Sequence, residues 1–203
     1  MSRHLSGCLP AHDARRGAPV ELLLLRVEGA EVPFYWLDLE AKVNAQFSDL
    51  DRFLRRTWLE CCGHCSAFVI GPTRYTVAST GPFRRDGERS LRVRLDEVLG
   101  AMKTWFRYEY DFGSTTELRL RVRGSRLGVA GRQPVRLLAR NEPPAWACHV
   151  CGAPATVLCS YCADERDPML CDQHVKGHRC GDEALLPVVN SPRMGVCGYT
   201  GEA

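Results

Sequence analysis

The chain has 203 residues, 45% of them hydrophobic, which suits one medium domain and a smaller second one. Its net charge is only +3, and no apolar run approaches the roughly 18 residues of a membrane-spanning helix, so no membrane partner is expected. Residues 1–20 carry Arg3, Arg15 and Arg16 without an apolar core, which excludes a secretory signal and points to a cytoplasmic chain with reduced thiols.

Residues 1–18 lack periodicity and are expected to form a flexible arm. His4, Cys8 and His12 recur every four residues, but Gly7 and Pro10 argue against the helix that would align them. Val20–Val27 predicts a strand, apolar on both faces and therefore central. Gly29 and Ala30 turn the chain into an aromatic strand, Val32–Leu39, so a hairpin is expected. Ser48–Glu60 is the clearest helix. Ser48 is placed to cap it, Asp49 and Asp51 suit its first turn, and Leu50, Phe53, Leu54 and Trp58 form an apolar stripe. Arg52, Arg55 and Arg56 fall away from that stripe, as a solvated face or, alternatively, a phosphate-binding one.

Ser66–Ile70 and Arg74–Ala78 predict strands, Gly81–Ser90 a polar loop and Leu95–Met102 a short helix. Trp105–Phe112 alternates, with Phe106, Tyr108, Tyr110 and Phe112 on one side. Thr116–Arg123 alternates too, with Leu118, Leu120 and Val122 inward, and Gly113-Ser114-Thr115 closes a second hairpin. Arg119, Arg121 and Arg123 then share an outer face with Arg107, Glu109 and Asp111, as cross-strand charge pairing would arrange them. Arg132–Arg140 predicts a last strand, and residues 141–145 a linker. The expected fold is α+β over residues 19–142, a mixed or antiparallel sheet with one main and one short helix.

Residues 146–182 have a different logic. Cys148, Cys151, Cys159, Cys162, Cys171, His174, His178 and Cys180 fall within 33 residues. Two residues between ligands let both members of a pair reach one tetrahedral ion, so four pairs make two zinc sites. Apolar side chains are few here, and so short a segment needs metal or disulfides to fold. A cross-brace, joining first with third pair and second with fourth, competes with a sequential arrangement; a disulfide framework is the remaining reading. Residues 1–143 hold 23 Lys and Arg against 17 Asp and Glu, whereas residues 144–203 hold 4 against 7. Two sites of three thiolates and one imidazole add further negative charge, which disfavours a grip on phosphates and favours a protein partner. Residues 183–203 are too apolar for a free tail and are expected to dock on a domain.

Tyr108-Glu109-Tyr110-Asp111-Phe112-Gly113, with the stretch Phe47–Phe68, resembles the plasmid pRiA4b ORF-3-like family over about residues 20–142. The resemblance implies an α+β domain and no established reaction. Where that family continues with an acid, a tryptophan and a histidine, this chain has Ser114, Thr116 and Leu118. The domain followed by a cysteine-rich module looks like a subgroup of the same family. Within residues 146–182 the ligand order resembles the B-box zinc finger, departing from it in Cys180 after a single spacer. That likeness implies a cross-brace, with Cys148, Cys151, Cys171 and His174 on one zinc ion and Cys159, Cys162, His178 and Cys180 on a second. Two ions are expected.

Cys62-Gly63-His64-Cys65 matches the dithiol motif of disulfide isomerases, and a thiol–disulfide oxidoreductase is the enzyme alternative. It follows a helix C-terminus, where the dipole and Glu60 disfavour a thiolate. The plainer reading packs Cys61, Cys62 and Cys65 as small apolar residues. Another option joins Cys62, His64 or Cys65 to Cys197 or Cys8 as a third metal site. Asp111-Phe112-Gly113 matches the kinase magnesium motif in isolation, without a phosphate loop or catalytic loop. The pattern as a whole points to binding rather than catalysis, with nucleic-acid binding through Arg52, Arg55, Arg56 or the Arg119–Arg123 face as a further alternative.

Overall fold

The computed structural model describes residues 7–14, 16–77, 87–100, 105–163 and 168–201, with the backbone alone for His12. The chain forms two compact units, residues 1–53 with 65–141 and residues 54–64 with 142–203. The second unit therefore takes in a stretch of eleven residues expected to belong wholly to the first.

Among its described residues the first unit contains eight strands: β1 (Val20–Gly29), β2 (Trp36–Lys42), β3 (Ser66–Ile70), β4 (Thr73–Thr76), β5 (Glu88–Ser90), β6 (Trp105–Tyr110), β7 (Thr116–Gly128) and β8 (Val135–Arg140). They form one sheet ordered β5-β4-β3-β6-β7-β1-β2-β8. Among the described strands only β4 and β5 run parallel. With a main helix, α1 (Phe47–Leu54), and a short one, α2 (Leu95–Leu99), the fold is α+β with a mixed sheet.

The β1–β2 hairpin forms with Leu25 opposite Leu39. Its second strand starts only at Trp36, because the Tyr35 amide donates to the Val32 carbonyl at 3.0 Å and holds a turn there. β1 is interior but not closed on both faces. Leu25 and Val27 are buried while Arg26 and Glu28 are half-buried, and Arg26 lies 4.0 Å over the Trp36 ring and 3.3 Å from Asp38.

The helix starts at Phe47, one residue earlier than Ser48. Asp49, at the third helical position, accepts a hydrogen bond from the Gln46 amide at 3.0 Å. The start is thus closed by an acid reaching back, half of a capping box, and Ser48 instead donates to the Gln46 side chain. After Leu54 the pitch changes. Arg55–Leu59 is a π-helical turn, and the Glu60 amide donates to the Arg55 carbonyl at 2.8 Å. The wider turn buries Thr57, Trp58 and Leu59 in succession. Leu50, Phe53, Leu54 and Trp58 are all buried.

Phe47 carries α1 onto the sheet, with its ring 4.9 Å from Phe68 and 5.3 Å from Tyr75, and Phe68 lies 4.6 Å from Tyr108. Along β6, Phe106, Tyr108 and Tyr110 are buried, but the alternation ends there. Asp111 takes a positive φ of 64°, its Oδ1 accepts from the Gly113 amide at 3.0 Å, and Phe112 turns outward beneath Arg74.

In the β6–β7 hairpin, Arg107 stands opposite Arg119 and Trp105 opposite Arg121. Charges therefore pair off the direct register: Arg107 with Glu117 at 3.3 Å, Arg74 with Glu109 at 2.7 Å, and Arg121 4.9 Å over Trp105. β7 extends past Arg123 to Gly128 through a bulge. Leu24 faces Gly124 while Leu25 faces Val122, so Arg123 is the extra residue and leaves the Arg119–Arg121 register.

Part of the expected arm is held in place. Leu9 is buried in a 3-10 turn, Leu9–His12. Asp13 pairs with Arg126 at 2.6 Å, and Arg126 and Arg136 both reach the buried Glu40. His4 lies outside the described residues, as do Ala78, residues 81–86 of the expected loop and Met102 of the expected short helix.

The second unit has a three-stranded antiparallel sheet, with β9 (Val157–Cys159) between β10 (Met169–Leu170) and β11 (Leu185–Pro187). Leu158, Met169 and Leu186 form its small core, with Trp146, Ala155, Val188 and Met194 packed on it. Three of these seven side chains, Leu186, Val188 and Met194, come from the segment expected to be a docked tail. Ser191, Arg193 and Tyr199 are also buried, so residues 183–201 are built into the unit.

Candidate metal centres

Tight turns present the first two pairs of ligands. The Gly152 amide donates to the Cys148 carbonyl at 2.8 Å, and Gly152 takes the positive φ of 73° that such a knuckle requires. The Cys162 amide donates to the Cys159 carbonyl at 3.2 Å in the second knuckle. The Cys171 carbonyl accepts from the His174 and Val175 amides, which folds the third pair, and the short turn Val175–Gly177 leads to His178.

These turns gather the ligands into two sets. Cys148, Cys151, Cys171 and His174 place their donor atoms within 4.8 Å of one another, and so do Cys159, Cys162, His178 and Cys180. The first pair of the chain thus meets the third, and the second meets the fourth. Cys151 Sγ is 3.8 Å from Cys171 Sγ, Cys148 Sγ is 3.6 Å from His174 Nδ1, and Cys171 Sγ is 3.3 Å from the same nitrogen. In the other set Cys162 Sγ is 3.8 Å from Cys180 Sγ and 3.6 Å from His178 Nε2. Bonds of about 2.3 Å to sulfur and about 2.0 Å to nitrogen give tetrahedral edges of about 3.8 Å between sulfurs and about 3.5 Å between sulfur and nitrogen. The donor sets fit a borderline-soft divalent ion in both chemistry and spacing. A disulfide needs sulfurs about 2.05 Å apart, and none of the eleven cysteines is in a disulfide.

The electrostatics favour thiolates where the backbone can reach them. Burial opposes ionisation of Cys148, but the amides of Val150, Cys151 and Cys171 point at its sulfur and hold the thiol below its ordinary value. The His174 amide lowers Cys171 despite burial. Burial likewise opposes ionisation of Cys159, yet His178 and the amides of Cys162 and Tyr161 bring it down to about 7. Its neighbour is the reverse: the hydrogen bond from Cys159, then burial and Cys180, push Cys162 up to about 12.

A third set also forms, beyond the two ions expected; it matches the option that joined Cys62 and His64 to Cys197, with Cys61 in place of Cys65. Cys61, Cys62, His64 and Cys197 bring their donor atoms within 4.8 Å of one another. All four lie in the second unit. Cys65 and Cys8 join no ligand set among the described residues. The Cys61-Cys62-Gly63-His64 run was a visible signal for three of these ligands, but the fourth, Cys197, carries no local spacing clue. Cys61, expected as a small apolar residue packed at a helix end, is one of the four. Cys62 has Cys61, His64 and Cys197 as partners, and the hydrogen bond from Cys61 heads the causes that push its thiol up to about 11. That is the opposite of an activated dithiol.

The arginines considered for phosphate binding are partly committed. Arg55 pairs with Glu60 at 2.7 Å and donates to the His64 carbonyl at 2.6 Å, and Arg52 pairs with Asp49 at 3.2 Å. Arg56, Arg119 and Arg123 are exposed. Among the described residues no helix is long and apolar enough to cross a membrane.

No family model and no curated protein matches the chain. Among solved structures it is similar to a crystal structure of a protein of unknown function from Methanosarcina mazei Go1, with 14% identity and a TM-score of 0.51 over 68% of this chain and 76% of that one. At that identity the likeness is one of fold.

Proposed function

We propose that this is a zinc-binding protein whose cysteine-rich unit is a protein-contact module held together by metal. The observation that carries the reading is the convergence of eight side chains into two sets of three sulfurs and one imidazole, interleaved along the chain. That donor set is the one zinc takes in structural sites. The interleaved order, shared with B-box fingers, supports a cross-brace over the sequential arrangement. A protein partner is favoured over nucleic acid because residues 144–203 hold 4 basic against 7 acidic residues. Two large apolar side chains also stand out from the knuckles: Val150, 54% exposed between Cys148 and Cys151, and Tyr161, 64% exposed between Cys159 and Cys162. The α+β unit is proposed to be of the pRiA4b ORF-3-like type and the protein to be cytoplasmic.

Limited proteolysis of the full-length protein, before and after chelation, tests the metal reading. Cleavage of residues 146–182 should rise sharply once metal is removed and fall again when zinc is restored. Equal resistance with and without chelator overturns it. For the contact surface, a Val150→Asp/Tyr161→Asp double variant should retain its metal and lose any partner captured by the wild type.

A further inference from the structure

We propose that Cys61, Cys62, His64 and Cys197 form a third zinc site, which fastens residues 54–64 to the C-terminal segment. It uses none of the ligands of the other two sites and stands or falls independently of them.

The geometry resembles that of the other two sets. Cys61 Sγ is 3.7 Å from Cys62 Sγ, and Cys62 Sγ is 3.9 Å from Cys197 Sγ, both close to the tetrahedral sulfur–sulfur edge of about 3.8 Å. His64 Nε2 faces the same centre, 2.9 Å from Cys62 Sγ and 3.2 Å from Cys197 Sγ. Three sulfurs and one imidazole repeat the composition of the other sets.

The backbone is shaped around this centre. Cys197 adopts a positive φ of 50°, a conformation that a non-glycine residue holds only when its surroundings require it. Gly195 and Gly198 beside it also have positive φ, so the chain makes a tight excursion that delivers one sulfur. The opposite side is equally fixed. Glu60 accepts from the Gly63 amide at 2.6 Å, and Arg55 holds both Glu60 and the His64 carbonyl. The two segments are joined again when Ser191 Oγ donates to the Trp58 carbonyl at 2.6 Å.

Charge supplies a further argument. Arg193 is fully buried, and its Nη2 donates to Cys61 Sγ at 3.5 Å. A divalent ion with three thiolates and a neutral imidazole carries one net negative charge, which a buried guanidinium beside it offsets. The site also differs from the others in access. Cys62 and Cys197 are exposed, whereas each of the other sets has at least one buried sulfur. Its ion should therefore be the first that a chelator removes.

Metal analysis of the full-length protein tests this. Three zinc ions per chain are expected, falling to two in Cys197→Ser and His64→Ala, and remaining three in Cys65→Ser. His64→Cys keeps four donors; it should retain three ions and, after cobalt substitution, gain sulfur-to-metal charge-transfer absorption. This variant keeps the test open if the others fold poorly. In wild type, a chromophoric chelator should take one equivalent in a fast phase that Cys197→Ser lacks. Two ions in wild type, unchanged by Cys197→Ser, with no fast phase, overturns the proposal. Loss of a different ion in Cys171→Ser, with the fast phase intact, separates this site from the cross-brace sites.

Discussion

Tyr108 donates its hydroxyl to Asp51 Oδ1 at 2.7 Å, and Ser66 donates to the same oxygen at 2.5 Å. All three residues are buried, so one carboxylate oxygen ties α1 to β6 and β3 inside an apolar layer. The two changes at this knot should differ in cost. Tyr108→Phe removes one donor and leaves Ser66 in place, a loss of about 1 kcal/mol. Asp51→Ala removes the acceptor that two buried hydroxyls share and should cost more, about 2–4 kcal/mol. Urea denaturation of the first unit's sheet signal checks the order; a costlier Tyr108→Phe contradicts it.

Asp13 gives a pH dependence with a definite sign. The hydrogen bond from Arg126 is the largest influence on its carboxyl, ahead of opposing burial and a further bond from the Val129 amide, and the net effect holds it below its ordinary 3.8. A carboxyl whose folded pKa is depressed stabilises the fold above its unfolded pKa, and that contribution disappears as pH falls through the folded value. Wild type should therefore melt higher than Asp13→Asn at pH 5, with the gap closing as pH falls below about 4. Melting curves across pH 2–6 test this; a constant gap refutes it.

Acid should release metal from the cysteine-rich unit, because protons compete with the ion for every thiolate. Retained metal after dialysis at successively lower pH should fall as the solution is made acidic, with amide protection in β9 to β11 lost in step and that in β1 to β8 kept. Retention of all metal at pH 4 contradicts the reading.

Gly195 and Gly198 separate backbone strain from crowding. Both have positive φ, 82° and 66°. A Cβ at Gly198 meets nothing within 4 Å, whereas one at Gly195 comes 2.7 Å from Leu158 Cδ2, in the small core where Leu158 has little room to swing. Gly198→Ala should cost about 1–2 kcal/mol and Gly195→Ala about 2–4 kcal/mol, measured by denaturation of the second unit.

Local spacing explains what could be read without coordinates. The eight ligands from Cys148 to Cys180 announce themselves because each pair is adjacent in the chain, and strict alternation marks β6 and β7. The likeness to B-box fingers supplied the pairing, which spacing alone left open. What escaped depends on distance or on single backbone angles. Cys197 stands 133 residues from His64, so the sequence offered it only as one option beside Cys8, and Cys61 was not among the candidate ligands. Asp111 flips Phe112 outward through one positive φ, which alternation cannot foresee. The π-helical turn after Leu54 is set by burying three successive side chains, a demand visible only once the unit around Trp58 exists. The first half of Val20–Val27 looks two-sided because Leu22 and Leu23 are both buried, while Arg26 and Glu28 reveal the half-open face further along.

Residues 54–64 belong to the unit completed by residues 142–203, so that unit is discontinuous in the chain. During translation, Trp58 and Cys61 leave the ribosome long before Ser191, Arg193 and Cys197 exist to receive them. No single cut can excise the cysteine-rich half intact, and an expression fragment starting at residue 142 lacks three of the four ligands proposed for the third ion. While Ser191 is still unmade, the Trp58 carbonyl lacks that donor and the residues around it wait for the rest of their unit.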